Sequence, residues 1–73
     1  MEPTIGRIVH YGIADVQDGV PTIVAIPAMI TKVNSDGTVA LTLFDVTDVG
    51  WCYSAPHSET LKEKHWMWPP RNG

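Results

Sequence analysis

The chain has 73 residues, with five basic and eight acidic side chains, a formal net charge of −3 and one cysteine. A chain of this length is a single domain over residues 1–73 and buries only about 60% of the surface that it exposes when unfolded. The acidic balance argues against binding to duplex nucleic acid, and no apolar run approaches the ~20 residues that a membrane span needs. We therefore expect neither a duplex nor a membrane partner, and homo-oligomerisation is one common way for so small a core to gain stability.

The amino-terminal segment and the lone Cys52 bear on location. MEPTIGRIVHY has an acidic second residue and reaches polar residues before any apolar run forms, so it does not resemble a signal peptide. A single thiol cannot form a disulfide within the monomer, which weakly favours a reducing compartment. Both observations predict a cytoplasmic protein.

The first half of the chain predicts two strands joined by a loop. The segment Ile5–Tyr11 is rich in β-branched and aromatic residues and alternates, which predicts the first strand. The next segment, Gly12–Pro21, carries Asp, Gly and Pro without a helical period, which predicts a mobile loop. Thr22–Val33 predicts a second strand, in which Pro27 marks a bulge, an edge, or a break between two strands.

The central hairpin has the clearest pattern. Asn34–Gly37 contains turn-forming residues and a glycine suited to positive φ. The next stretch, TVALTLFDV, places its apolar residues on one side and a mixed set on the other: Val39, Leu41 and Leu43 against Ala40, Thr42 and Phe44. This alternation predicts a strand with one face in the core.

The second half predicts two further short strands. Gly50–Ser54 is apolar and aromatic, whereas the following polar stretch to Lys64 favours at most one helical turn. His65–Trp68 predicts a last strand that Pro69 stops. Four to five short strands without a helix of normal length predict an all-β fold, a small open barrel of the SH3-like or OB-like kind.

Motifs for catalysis, metal binding and phosphate binding are weak or missing. Cys52 lies between Trp51 and Tyr53 in a predicted strand, where a buried, inert thiol is the usual outcome. The pair His57 and His65 lacks the further ligands of a zinc site. The glycines follow neither the Walker nor the dinucleotide spacing. We therefore expect no enzyme, no metal and no cofactor.

The aromatic side chains are the candidate binding groups. In a strand, Trp66 and Trp68 point to one face and Met67 to the other. That face could close the barrel against the first strand. Alternatively, one indole is core while the other joins Tyr11 or His10 in a platform that stacks on a nucleobase. A third interpretation is a subunit interface, where Trp, Tyr, Met and Arg are enriched.

Arginine supplies the expected phosphate contacts. Arg7 stands in an otherwise apolar strand, where it either stacks in solvent on a neighbouring ring or pairs with a ligand or partner. The predicted site combines rings that stack, arginines that meet phosphate and hydrogen-bonding groups: Tyr11, Trp51, Trp66, Trp68, Arg7, Arg71, His10 and Thr31. The assignment of Thr31 depends on strand register, since a slip of one residue exchanges the faces.

Four short motifs, in this order, resemble a family of very short proteins encoded by phages and prophages. They are GRIVHY near the start, PAMI in the middle, the strand VALTLF, and a W-x-W-P close. The family has no settled biochemical role, so the resemblance implies phage origin and expression in the host cell cytoplasm. Some small anti-defence phage proteins are oligomeric sponges that sequester cyclic nucleotide signals.

These observations predict a non-catalytic, homo-oligomeric binding protein. Its ligand would be a cyclic nucleotide immune signal held by the aromatic and arginine-lined site. The alternative is an interaction module without a small ligand, either a virion component or an inhibitor that docks onto a host protein through the same aromatic face.

Overall fold

Five strands make up the structure, a computed structural model that describes residues 2–46 and 48–70. Their bounds are β1 Ile8–Gln17, β2 Val20–Val33, β3 Val39–Phe44, β4 Val49–Ala55 and β5 Trp66–Met67. All pair antiparallel in one sheet of order β4-β3-β2-β1-β5. The predicted all-β fold is confirmed. The described residues contain no helix that is long and apolar enough to cross a membrane.

The sheet curls until its two ends meet through a short contact. β4 runs on into Pro56–Ser58, which lies parallel to β5. The Trp66 N–H donates to the Pro56 carbonyl at 3.0 Å, and the Ser58 N–H donates to the Trp66 carbonyl at 2.9 Å. A parallel contact is required here, because five strands that alternate in direction leave the first and last pointing the same way. The result is a small, barely closed, barrel-like sheet.

The inner face of this sheet forms the core. Its buried members are Val9, Tyr11, Ile26, Ala28, Ile30, Val39, Leu41, Ala55 and Trp66. The predicted central hairpin is confirmed by the antiparallel pairing of β2 with β3. The predicted faces of β3 are also observed, because Leu41 is buried and Leu43 packs against the core, while Phe44 on the other face is exposed. Every fully buried side chain among the described residues belongs to an apolar or aromatic residue, as the hydrophobic effect favours.

The loop predicted over Gly12–Pro21 is wrong, because this segment is mostly strand. The ladder between β1 and β2 continues to Gln17 opposite Val20. Asp18 and Gly19 between them have φ values of 52° and 76°. Two consecutive positive φ angles define a type I′ turn, whose twist matches the flanking strands and for which Asp-Gly is a preferred sequence. The Asp-Gly pair was therefore a hairpin signal rather than a loop signal.

Pro27 lies inside a continuous β2 and ends the pairing of β2 with β3. The Ile30 N–H donates to the Arg7 carbonyl at 2.9 Å, so the polar groups of Ile30 face the β1 side. Because successive residues face opposite neighbours, the Pro27 nitrogen faces β3, to which it has no hydrogen to donate. The β2–β3 ladder accordingly ends at Ala28 opposite Leu43. Of the three predicted readings, the structure shows an edge.

Candidate functional site

The carboxy-terminal aromatics close the barrel. Trp66 is 2% exposed and lies opposite Tyr11 in the ladder between β5 and β1. The Trp66 and Trp68 ring centroids are 5.1 Å apart in an edge-to-face arrangement, and the His57 ring centroid lies 4.6 Å from Trp66 on the other side. Edge-to-face contact is the favoured geometry for packed rings. Trp66 therefore packs in the core beside the first strand, as the first of the three interpretations expects, and Trp68 is half-buried against it. The platform and interface interpretations stay predictions.

Tyr11 is a core residue rather than an exposed stacking group. Burial, followed by its hydrogen bond to Cys52, raises the pKa of Tyr11 to about 12. The hydroxyl donates to the Cys52 Sγ at 3.8 Å. The Trp66 Nε1–H, buried nearby, has no hydrogen-bond partner among the described residues. Both side chains therefore contribute packing area to the barrel interior.

The predicted hydrogen-bonding and charged groups lie apart from one another. Arg7 is exposed just before β1, and His10 is half-buried on β1. Thr31 sits at a register shift between β2 and β3, where its hydroxyl donates to the Ala40 carbonyl at 3.3 Å. Arg71 lies outside the described residues. No shared site for these side chains is visible in the described part of the chain.

Trp51 is separated from the other predicted rings. It lies on β4, whereas Tyr11 is on β1, and three strand spacings of about 4.8 Å put β4 roughly 14 Å from β1 along the sheet. Trp51 is 68% exposed. The predicted set is thus divided between the core and distant parts of the surface, and its binding role stays a prediction.

A row of uncharged, mostly apolar side chains crosses the side of the sheet opposite the core. Ile8, Met29, Thr42 and Trp51 lie directly opposite one another on β1 to β4. Opposite residues point to the same side of a sheet. The next row contains Phe44 opposite Val49. Together with the adjacent aromatic residue of β4, we define these side chains as the outer face: Ile8, Met29, Thr42, Phe44, Val49, Trp51 and Tyr53.

The outer face is exposed over much of its area. Tyr53, two residues after Trp51 on β4, is 77% exposed, and Val49 is 56% exposed. At roughly 150–250 Å² for each large aromatic side chain, Trp51 and Tyr53 alone offer on the order of 300 Å². With their aliphatic neighbours the patch reaches the upper part of the ~300–600 Å² range for the largest patch on a monomer, which is often functional.

Charges lie at the ends of the outer face and not within it. At one end, Lys32 lies opposite Ala40. At the other end, Asp45 and Asp48 belong to the turn between β3 and β4, and each carboxylate accepts a hydrogen bond from the next backbone N–H, at 2.7 Å and 2.8 Å. The face itself therefore presents apolar and aromatic area without charge.

The described residues form no concave pocket and no cluster of potential metal ligands. Chemically, the outer face is a flat surface that can exclude water against another apolar surface or stack on a planar group. The alternation of Val49, Trp51 and Tyr53 with Gly50 and Cys52 could have indicated this surface from the sequence.

Comparisons with protein-family models, curated proteins and solved structures found no match for this chain. The resemblance to short phage proteins therefore stays an expectation from the sequence.

Proposed function

We propose that this chain is a non-catalytic interaction module whose outer face docks onto an apolar surface of another protein. The observation that carries the proposal is the exposure of Trp51 and Tyr53 on one uncharged side of the sheet. The largest apolar patch on a monomer is often functional. Tryptophan and tyrosine are also the residues that most often supply the binding energy of protein interfaces.

The distribution of charge supports a protein partner. A phosphate-bearing ligand needs a cation next to the stacking ring, and Arg7 lies three strands away from Trp51. The basic Lys32 and the acidic Asp45 and Asp48 lie at opposite ends of the face. This arrangement fits a partner that has an apolar centre and charges of both signs at its rim. Protein interfaces commonly have this form, with few charged residues at the core and a polar rim. A virion component and an inhibitor of a host protein both meet this description.

A cyclic nucleotide ligand is the second candidate. One observation favours it: the exposed indole of Trp51 presents a ring on which a base can stack. A protein that sequesters such a signal needs affinity and abundance, not a catalytic group. In this case the phosphate contacts would come from residues away from the outer face.

The test of the protein partner uses a tagged chain, a pull-down from the producing host, and two matched variants. Trp51→Ala/Tyr53→Ala removes the exposed rings, whereas Val46→Ala changes a residue of the β3–β4 turn that is 97% exposed. The captured protein is purified and its Kd is measured against each form. We expect the double variant to raise the Kd at least 30-fold, since hot-spot residues contribute about 2 kcal/mol or more, and Val46→Ala to leave it unchanged. Equal Kd values for all three forms would exclude the outer face.

The second candidate is tested by thermal unfolding with a panel of cyclic mono- and dinucleotides. A ligand at 100 times its Kd adds about 2.7 kcal/mol to the free energy of unfolding. A shift with one nucleotide that is lost in Trp51→Ala would support the ligand and overturn the docking proposal. The docking proposal instead predicts no shift with any nucleotide.

A further inference from the structure

The sheet has long free strand edges, and two of them carry features that block pairing. Beyond Gly12 on β1 and beyond Pro27 on β2, the two strands pair only with each other and form a two-stranded arm. Pro21 and Pro27 are an even number of positions apart on β2, so the nitrogens of both prolines face the free edge of this strand. Neither nitrogen carries a hydrogen to donate there. Proline and charge are the usual means of preventing pairing at an edge.

On the other edge of the arm, the acidic Asp15 performs this function. Asp15 lies opposite Thr22, with its polar backbone groups toward β2, so the backbone groups that face this edge belong to Ala14 and Val16, and the Val16 N–H is already bonded to the Asp15 carboxylate at 2.8 Å. Pairing two copies through these residues would place two Asp15 side chains opposite each other. Like charges directly opposite are destabilising. Both edges of the arm are therefore unsuited to pairing with a second copy.

The free edge of β4 has neither proline nor charge in its central part, and its backbone is occupied only toward its ends. There the Val49 N–H donates to the Asp48 carboxylate at 2.8 Å, and the Tyr53 carbonyl accepts from the Asn34 side chain at 3.0 Å beside a register shift. The segment Val49–Ser54 reads VGWCYS, with neither charge nor proline. Its free backbone groups follow from the register. Met29 faces β3 and bonds Thr42, so Leu41 faces β4 and bonds Cys52. Trp51, the next residue, must then turn its N–H and carbonyl away from β3.

We propose that β4 pairs antiparallel with β4 of a second copy of this chain, about a two-fold axis that passes beside Trp51. The interaction uses the backbone edge, so it goes beyond the docking of the outer face described above. It joins two five-stranded sheets into one, and the two outer faces then lie side by side as a continuous surface.

This register is self-complementary. Trp51 lies opposite the partner's Trp51 as a fully hydrogen-bonded pair. Val49 lies opposite the partner's Tyr53, where only the Val49 carbonyl and the Tyr53 N–H are available, because the Val49 N–H and the Tyr53 carbonyl are bonded within each subunit. Aromatic and β-branched cross-strand pairs each contribute about 0.2–1 kcal/mol. No charged side chain of Val49–Ser54 opposes another, which matters for two copies that each carry a net charge of −3. A specific interface buries about 1,000 Å² in total, and the exposed Trp51 and Tyr53 rings of two copies offer roughly 600 Å² toward this area.

The same register sets the distances around Cys52. Neighbours of a hydrogen-bonded pair form non-hydrogen-bonded pairs, so Cys52 lies opposite the partner's Gly50 with Cα atoms about 4.5 Å apart. The two Cys52 residues are diagonal neighbours, roughly 7–8 Å apart. This separation exceeds the Cα–Cα range of a disulfide. The native thiols should not crosslink, whereas a thiol introduced at position 50 should bond to the partner's Cys52.

Gly50→Cys therefore tests the register directly. A Cβ at Gly50 meets only the Leu43 side chain, at 3.8 Å, so the fold accepts it. We expect mild oxidation at low micromolar concentration to convert Gly50→Cys into a covalent dimer. The wild type and Gly50→Cys/Cys52→Ser, which keeps only the introduced thiol, should stay uncrosslinked. Ser35→Cys, in the exposed β2–β3 turn, measures crosslinking by random collision.

Solution mass supplies the second measurement. The chain has a mass of 8.0 kDa, so light scattering should give twice this mass for the wild type. Trp51→Lys places two like charges beside the axis, and it should run as a folded monomer, because this side chain is exposed in the single chain. A wild-type mass of 8.0 kDa at about 100 μM, or a crosslinking rate of Gly50→Cys no faster than that of Ser35→Cys, would overturn the proposal. Neither result bears on whether the outer face binds another protein.

Discussion

The two aromatic segments of this chain differ in burial. The carboxy-terminal segment with Trp66 and Trp68 lies in or against the core, whereas Trp51 and Tyr53 on β4 are exposed. The difference lies in their neighbours. β5 is held between β1 on one side and Pro56–Ser58 on the other, whereas β4 has only β3 beside it over most of its length. The rings also lie on opposite faces of the sheet, since Trp66 belongs to the core cluster whereas Trp51 and Tyr53 belong to the outer face. The face decides whether a ring is core or surface, and the uncovered edge of β4 increases the exposure of the outer rings.

Truncating one tryptophan from each segment gives the largest expected contrast. Trp66→Ala should lower the free energy of unfolding by about 3–5 kcal/mol, because it opens a cavity in the core and removes the ring that packs on Tyr11 and His57. Trp51→Ala should change it by no more than about 0.5 kcal/mol in the single chain, as expected for surface substitutions. Urea unfolding monitored by circular dichroism at low micromolar concentration measures both. Similar losses for the two variants would refute the contrast.

Two glycines, one beside the carboxy-terminal segment and one on β4, allow the packing of the two regions to be compared directly. Gly12 donates to the His65 carbonyl at 3.0 Å and accepts from the Lys64 N–H at 2.8 Å, and a Cβ there would overlap the Lys62 carbonyl. Because the obstacle is backbone, Gly12→Ala should cost about 3 kcal/mol, the upper part of the usual range for overpacking.

Gly50→Ala on β4 is the matched control for Gly12→Ala. Its Cβ would meet Leu43 at an ordinary 3.8 Å, so we expect a change within about 1 kcal/mol, with lower entropy of the unfolded chain as a stabilising contribution. Thermal unfolding of the two variants side by side makes the measurement. If Gly50→Ala lowered the free energy of unfolding as much as Gly12→Ala, the β4 side would be packed as tightly as the carboxy-terminal side.

Local patterns in the sequence were sufficient to predict much of the fold. The alternation of Val39, Leu41 and Leu43 identified a core-facing strand, because side chains on a strand have a period of two. The Asp18–Gly19 turn was missed, although this dipeptide is a strong hairpin signal, since the polar composition of the surrounding residues favoured a loop. Propensity alone did not separate a loop from a two-stranded arm.

The site was harder to predict, because it depends on contacts between distant segments. Trp51 and Trp66 have similar local surroundings in the sequence, namely apolar and aromatic neighbours. Only the order of the strands and the parallel contact of His57 with Trp66 place one at a free edge and the other inside. Single-sequence periodicity describes the faces of a strand and carries no information about its edges.

After the tryptophan and glycine comparisons, the ionisation of Tyr11 gives the smallest expected change in the free energy of unfolding. It tests whether water reaches the carboxy-terminal side of the core. Its pKa is raised from 10.0 to about 12, first by burial and then by the Cys52 contact. The folded state therefore holds this proton more tightly than the unfolded state. The resulting stabilisation is fully present below pH 10 and is lost as the pH rises from 10 toward 12. At pH 11 the loss should be on the order of 1 kcal/mol.

Tyr11→Phe is the control, because it keeps the ring and removes the titrating group. We expect the free energy of unfolding of the wild type to fall more steeply than that of Tyr11→Phe between pH 9 and 11.5, with urea midpoints measured at half-unit intervals. Parallel curves would mean that water reaches the Tyr11 hydroxyl. The junction between β1 and β5 would then be as open as the β4 edge, and the contrast between the two aromatic segments would no longer be one of burial.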